Sequence, residues 1–401
     1  MKENERYQRK FPQMRHFCGM AERNFDLLIS GAGPAGAATA LALRGSGLKV
    51  ALVERSNFPR DKVCGDFVMA RGVRLVNELV PGFQERIEDF PAKAVNRSTL
   101  LYIDDLDPLR WDWVQRSYTI RREHFDHLLL EEALKVPELH FYPGEKTQWL
   151  RREKDHIVLE TAAGNRYRAP WIIGADGAHS PVARQLGNFK LDHAHYGGSV
   201  RAYFQALEGL DMSANEVFIH RAVVPGYFWL FPLSRDAANL GLGMHSRYLT
   251  QHKVNLKELF YRFIEAHPVL QERMAKARQE GPVKGFGLPF YSRRWPVAGP
   301  GYFLTGDAAS LIDPTNGEGI YQALYSGRLA AQHFLQLAAT GDYSSRAAQA
   351  YARNLHRRFW REMQLKSWIV RYFAEQSNIH RWVGQACLQQ SWIRLAVQRL
   401  M

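Results

Sequence analysis

Residues 25–54 read FDLLISGAGPAGAATALALRGSGLKVALVE, and the fold follows from this stretch. Its first six residues form a short apolar run, the signature of a buried parallel strand. Three glycines follow at GxGxxG spacing: Gly31, Gly33 and Gly36. Gly31 permits a tight strand-to-helix turn, Gly33 lets backbone approach a pyrophosphate, and Gly36 allows the helix to pack closely on the strand. A helix is expected over about 34–43, opened by Pro34 and Ala35. Its N-terminus offers unpaired N–H groups and partial positive charge to phosphates. A second strand, 49–54, ends on Glu54, an acid suited to accept hydrogen bonds from ribose hydroxyls, with Arg55 beside it. Strand, helix and acid together raise the motif above a plain glycine turn.

This β-α-β unit by itself does not separate FAD from NAD. Two distant segments do. Residues 174–184, GADGAHSPVAR, contain Asp176 and Gly177, and residues 306–309, GDAA, contain Gly306 and Asp307. They resemble the DG and GD motifs of FAD-dependent hydroxylases and their relatives. The resemblance implies that Asp307 bonds the FAD ribityl chain, as a carboxylate at a strand end can do by a charge-assisted hydrogen bond. Either motif alone is usually only a turn; all three in order are far more specific. Gly241 with Gly243, and Gly285 with Gly287, lack a third glycine and a following helix. No dedicated nicotinamide domain is therefore expected. The reductant is expected to be NADPH or NADH bound transiently, or a separate electron donor.

The chain has 401 residues, 46% of them hydrophobic, enough for a large core and two or three domains. Composition excludes a disordered or collagen-like chain. The balance of 53 Lys+Arg against 40 Asp+Glu gives +13, which favours anionic partners or reflects surface bias alone. Three cysteines, Cys18, Cys64 and Cys387, imply no disulfide framework and suit a reducing cytoplasm. No run of about 18 apolar residues suggests a membrane span. Residues 1–24 are polar and basic, lack a signal-peptide core, and are expected to form an arm, with Met14 and Met20 as alternative starts.

The expected class is α/β: a Rossmann-type FAD-binding domain, an inserted antiparallel-sheet substrate domain and a C-terminal helical region. The FAD-binding domain is placed at 25–190 and 296–340, the substrate domain at 191–295 and the helical region at 341–401. Further expectations are a helix over 122–134, a hairpin of 156–161 with 166–173, a helix over 256–278 and one over 317–337.

Residues 59–65, PRDKVCG, fit P-x-x-K-x-C-G. Residues 227–232, YFWLFP, followed after eight residues by Gly241-Leu242-Gly243, fit Y-x-W-x-F-P…G-x-G. Residues 306–327 and 118–129 continue the pattern, the latter carrying Arg122. Over about 25–361 the chain resembles the geranylgeranyl reductase family, within the p-hydroxybenzoate hydroxylase-like superfamily. Three features depart from it: the N-terminal arm, Asp66 after Cys64 and Gly65, and the aromatic, basic tail.

The resemblance implies double-bond reduction by reduced FAD on a hydrophobic, prenyl or other biosynthetic substrate. It places Cys64 and Gly65 near the substrate end of the flavin, Arg122 on the flavin side and the aromatic motif at the substrate. Gly317, Glu318 and Gly319, after Pro314 and before Ile320, are read as a helix start whose N–H groups meet the flavin pyrimidine edge and favour its reduced, anionic form. Cys64, beside Lys62, is a candidate proton donor; a small buried hydrophobe is the equal alternative. Tyr227 and Trp229 share a strand face with Phe231, as a pocket wall or as ordinary core. His193 and His195 lack a third ligand, and no metal is expected. Trp111 and Trp113 only superficially resemble halogenase tryptophans. The tail from 341 carries ten basic residues against three acids, suiting an anionic membrane surface, an acidic carrier protein or a solvated helical cap. No nucleic acid is expected; the location is expected to be cytoplasmic or peripheral to the membrane. The alternatives are a monooxygenase working through a flavin C4a-hydroperoxide, and a non-catalytic flavin-binding module at the membrane.

Overall fold

The computed structural model describes residues 22–187, 189–375 and 379–389. Most of the expected arm, with Cys18, Met14 and Met20, lies outside the described residues, as do Trp392, Arg394 and Arg399.

The fold is mixed α/β, built on three sheets. The first has six strands in the order Ala298–Gly299, Tyr302–Leu304, Ile172–Gly174, Leu27–Ser30, Val50–Val53, Leu139–Tyr142. Every neighbouring pair is parallel except the one at the Ala298–Gly299 edge. Parallel strands are covered on both faces, and LLIS and VALV are buried throughout. The helix between them is Pro34–Ala42, with Gly33 as N-cap. It crosses the Ile320–Thr340 helix at close range: a Cβ on Gly327 would stand 2.2 Å from the carbonyl oxygen of Ala35.

A four-stranded sheet runs Glu22–Asn24, Arg166–Ala169, His156–Thr161, Thr147–Glu153. The run 166–173, expected as one strand, divides. Arg166–Ala169 pairs with His156–Thr161, whereas Ile172–Gly174 joins the first sheet. Pro170 stands at the break and has no N–H for a ladder.

The third sheet has eight strands: Arg278–Pro289, Tyr196–Gln205, Ala237–His245, Gly226–Pro232, Ala214–Ile219, Lys93–Ile103, Leu109–Ile120, Phe67–Val68. It extends beyond the span 191–295, because the hairpin of Lys93–Ile103 and Leu109–Ile120 docks in parallel on Ala214–Ile219. The helix expected over 256–278 is two, Leu256–Ala266 and Pro268–Met274; Pro268 cannot continue the first. Their Phe260, Phe263, Ile264 and Leu270 cover one face of the sheet, packing with Phe218, Phe228, Leu230 and Leu242. By the period of two, Tyr227, Trp229 and Phe231 project from the other face.

The Ser345–Glu375 helix enters the main core through Ala348, Tyr351, Leu355, Phe359 and Met363. Ile379–Gln389 then lies across the third sheet, with Cys387 packed among Leu101, Ile103, Leu109 and Trp111. No described helix is long and apolar enough to cross a membrane.

Candidate active site

One cavity of about 1080 Å³ is walled by the first sheet, the third sheet and the C-terminal helices together. Every residue singled out above for cofactor or substrate, Gly36 excepted, lines it. Gly36 is a packing residue: a Cβ there would lie 1.9 Å from the Gly31 carbonyl oxygen.

The three glycine and aspartate motifs, far apart in sequence, meet at one end. Gly31 has φ +99°, and its Cβ would stand 2.4 Å from the carbonyl oxygen of Ala175, so the DG turn crosses directly over the first glycine. The Ser30 hydroxyl donates to Asp176 Oδ2 at 3.3 Å. Gly306, with φ +55°, lies against Ala35, and its N–H donates to Ser326 Oγ at 2.9 Å. Asp307 Oδ1 is 3.3 Å from where a Cβ on Gly319 would stand. Gly33 differs: nothing but the Arg60 guanidinium, at 3.6 Å, lies within 4 Å of its missing Cβ.

These residues fit FAD. The open Gly33 surface at a helix N-terminus suits a pyrophosphate. Asp176 Oδ1 is buried without a hydrogen-bond partner, and burial pushes the carboxyl up to about 6; such an orphaned acceptor suits a hydroxyl-rich group. Glu54 has an added duty. Its Oε2 accepts from the Ala32 N–H at 2.8 Å and its Oε1 from the Ser56 N–H at 2.9 Å. It braces the glycine turn and keeps further lone pairs for a ribose.

The glycine loop at 314–319 precedes its helix, which begins at Ile320 with Gly319 as N-cap; Gly317 has φ +69°, outside the helical region. Asp313 organises this loop, its Oδ1 accepting from the Thr315 N–H and hydroxyl at 2.8 and 2.6 Å. Its Oδ2 takes Lys366 Nζ at 2.6 Å. Lys366, counted above with the basic tail, is buried and ties the C-terminal helix to the loop. Glu318 pairs with Arg71.

Tyr227, Trp229 and Phe231 wall the middle of the cavity. The Tyr227 hydroxyl donates to the Asn316 carbonyl. Trp229 Nε1 donates to Asn239 Oδ1 at 2.9 Å, and Asn239 Nδ2 donates to the Cys64 carbonyl and to Asp66 Oδ2, each at 2.8 Å. A Cβ on Gly65 would meet the Phe231 ring at 2.9 Å. The Cys64 loop is thereby fastened to the aromatic strand. Asp66, the family departure, is the knot: fully buried, with φ +62°, it also accepts from the Arg122 N–H at 3.1 Å and the Tyr203 hydroxyl at 2.7 Å. Burial pushes its carboxyl up to about 6, against the pull of Arg201, Tyr203 and Asn239.

Arg122 makes a two-pronged bond to Asp126, at 2.7 and 2.8 Å, and Cys64 lies close enough to act on its charge. Burial alone would lower its pKa, but Asp126 and Cys64 raise it. Lys62 Nζ lies 3.3 Å from the Phe286 ring centroid. Burial lowers its ammonium to about 8, with Asp307 opposing, so it can exchange a proton near neutrality.

The cavity continues past Trp229 into an apolar chamber. One wall is Leu101, Ile103, Leu109, Trp111, Val217 and Ile219 of the third sheet; the facing helices supply Ile369, Val370, Val383 and Cys387. Trp111 thus lines the site, which its sequence context did not reveal. Alternating apolar residues across 101–111 carry the signal, but only pairing with Ala214–Ile219 shows which face is walled. His195 bonds Ser292 at 2.7 Å, and no group of three or more His, Cys, Asp or Glu that could hold a metal ion occurs among the described residues.

Residues 24–236 match the family model described as FAD binding domain, and residues 198–280 the one described as geranylgeranyl reductase catalytic domain. A menaquinone reductase of Mycobacterium tuberculosis (strain CDC 1551 / Oshkosh) is 30% identical over 317 residues, covering 77% of this chain and 76% of its own. A digeranylgeranylglycerophospholipid reductase of Thermoplasma acidophilum is 26% identical over 364 residues, covering 86% and 87%. Among solved structures, a geranylgeranyl bacteriochlorophyll reductase-like protein of Thermoplasma acidophilum superposes with TM-score 0.79 at 23% identity, covering 90% of this chain and 91% of that one. A flavin-dependent brominase superposes with TM-score 0.76 at 18% identity, covering 93% of each. At these identities the structures show a shared fold alone.

Proposed function

Because the chain belongs to the geranylgeranyl reductase family of FAD-dependent oxidoreductases, we propose that it saturates a carbon–carbon double bond in a prenyl-type chain. The carrying observation is continuity: the cradle that fits FAD and the apolar chamber are one cavity, with Cys64 and Trp229 at the junction. When bound and reduced, FAD supplies the hydride. The protein does the rest. The aromatic strand and the C-terminal helices exclude water and align an extended chain, as proximity effects require. Cys64 supplies the proton to the neighbouring carbon, and the charge left on its sulfur is stabilised by the nearby Arg122 guanidinium. Lys62 is placed to replenish that proton.

Gly31, Gly33, Pro34, Ala35, Glu54, Arg55, Asp176, Gly177, Gly306 and Asp307 hold the dinucleotide in this reading. Pro314, Gly317, Glu318, Gly319 and Ile320 border its ring system, with Gly65 near its substrate end and Arg122 on the flavin side. The electrons come from NADPH or NADH bound transiently, or from a separate donor.

The chain docks peripherally on an anionic membrane surface in this reading. Leu365, Trp368 and Tyr372 share one exposed helix face, and Trp382 and Leu388 are exposed on the next helix. Arg361 and Arg371 are exposed beside them. Basic, tryptophan-bearing helices suit that interface.

The test is the visible spectrum of the purified protein, then anaerobic addition of NADPH or NADH, then oxygen uptake during turnover. Bleaching of a flavin spectrum and product formed without oxygen support the reading. One oxygen consumed per product makes the protein a monooxygenase.

A further inference from the structure

The loop that borders the flavin ring in the reading above carries two carboxylates. Asp313 is fully buried, and its neighbours Ile312 and Pro314 both line the cavity. Glu318 lines the cavity itself. A bare carboxylate here opposes negative charge on a reduced ring, because charges act strongly across a low-dielectric interior. The field of Asp313 does extend that far. Burial pushes the Tyr227 phenol up, and the Asp313 charge pushes it further, so that charge is felt at the aromatic wall.

Each carboxylate meets a cation from a different helix. Arg71, on the Ala70–Leu79 helix, pairs with Glu318. Lys366, on the Ser345–Glu375 helix, reaches Asp313 Oδ2 at 2.6 Å. Glu362 joins the two cations: its Oε1 lies 3.1 Å from Lys366 Nζ and 4.0 Å from Arg71 Nη1. Lys366 is only 5% exposed. A buried ion pair adds little stability over an apolar pair of the same volume, so packing alone gives no reason for an ammonium at this place. The loop's shape does not need it either, since Asp313 holds Thr315 through its other oxygen.

Resting on the placement of this loop at the flavin ring, we propose that Lys366 is a positioning residue for the redox step: by neutralising Asp313 it lets the helix start at Gly319 and Ile320 favour the reduced, anionic ring. The first N–H groups of a helix have no partner within it and carry partial positive charge. The Asp313 N–H donates to the Glu318 carbonyl at 2.9 Å, which brings Asp313 beside that helix start. An unneutralised carboxylate there cancels the positive end. Lys366 does not line the cavity, so it acts through Asp313 and not by touching the ring.

The experiment loads the wild type, Asp313→Asn, Lys366→Met and the double variant with FAD and measures the flavin midpoint potential against reference dyes. Asparagine keeps an oxygen for Thr315, so the loop retains its own bonds. The single variants should move the reduced-to-oxidised ratio in opposite directions, Asp313→Asn up and Lys366→Met down, each about tenfold, or about 30 mV for a two-electron couple. The double variant should return close to the wild type. A loop that is merely loosened would shift both single variants the same way, and that result overturns the proposal, as does a potential that neither moves. Should Lys366→Met fail to fold, the other two variants decide: a rise in Asp313→Asn that the double variant abolishes supports the proposal, and any other pattern overturns it. A wild type that takes up no FAD overturns the cofactor reading and this proposal together.

Discussion

Trp229 and Gly241 stand opposite each other on adjacent antiparallel strands, and the indole fills the space a side chain at 241 would need: a Cβ there would lie 2.0 Å from Trp229 Cζ2. The next facing pair, Tyr227 and Gly243, repeats the arrangement of aromatic against glycine. The Y-x-W…G-x-G pattern is therefore one cross-strand object, in which the Trp229 ring lies over both glycines, 3.8 Å from where a Cβ on Gly243 would stand. Gly241→Ala should push the indole off Asn239 and Gly65. Overpacking of this kind costs about 1–3 kcal/mol. FAD content should persist while turnover falls about tenfold or more, measured by absorbance and product formation on the same preparation. Unchanged turnover would remove Trp229 from the substrate wall.

Gly33 and Gly31 should fail differently. Gly33 has φ −71° and open space at its missing Cβ, so Gly33→Ala should leave the FAD-free protein within about 0.5 kcal/mol of wild type. Its FAD affinity should drop about tenfold or more, because the methyl holds the pyrophosphate off the backbone. Gly31→Val meets the Ala175 carbonyl and a positive φ, so it should damage folding itself. Urea unfolding of the FAD-free forms and FAD titration separate the two.

Asp66 gives a pH signature. Its carboxyl is pushed from 3.8 up to about 6 by burial, so the folded state binds the proton more tightly than the unfolded one. Its share of stability is complete below about pH 4 and is withdrawn as pH rises past about 6. Asp66→Asn lacks this titration and loses acceptors for Tyr203 and Asn239, so it should be destabilised throughout. The gap between wild type and variant should narrow from pH 4 to pH 7 by on the order of 2 kcal/mol. A gap that widens over that range contradicts the assignment.

Docking on a membrane is read by co-sedimentation. The protein should bind vesicles containing anionic lipid and release as salt rises, since the Debye length falls to about 3 Å at 1 M. Trp368→Ser combined with Trp382→Ser should weaken binding about tenfold. Absent or salt-independent binding returns these helices to a capping role.

The dinucleotide cradle was legible because its glycines answer to backbone geometry that few other residues satisfy, and because Glu54, Asp176 and Asp307 come at strand ends. The aromatic strand was legible as a motif, but its partnership with Gly241 needed the hairpin register. Asn239 and Asp66 were illegible as a network because their partners, Trp229, Cys64, Tyr203 and Arg122, come from separate strands and loops. Lys366 read as one charge in a basic tail, whereas burial against Asp313, 53 residues away, makes it an internal brace. Trp111 and Cys387 lie on elements that meet only when the Ile379–Gln389 helix crosses the third sheet. Pro170 and Pro268 were visible in the sequence, yet the runs 166–173 and 256–278 were read through them.

The most direct test reduces the FAD-loaded protein chemically, removes oxygen and reductant, and adds geranylgeraniol or menaquinone while the flavin absorbance and the product mass are followed. The account predicts that the flavin reoxidises without oxygen and that one substrate molecule gains two hydrogen atoms per flavin. A flavin that stays reduced with both substrates until oxygen is admitted, and then yields a product carrying an added oxygen atom, would contradict it.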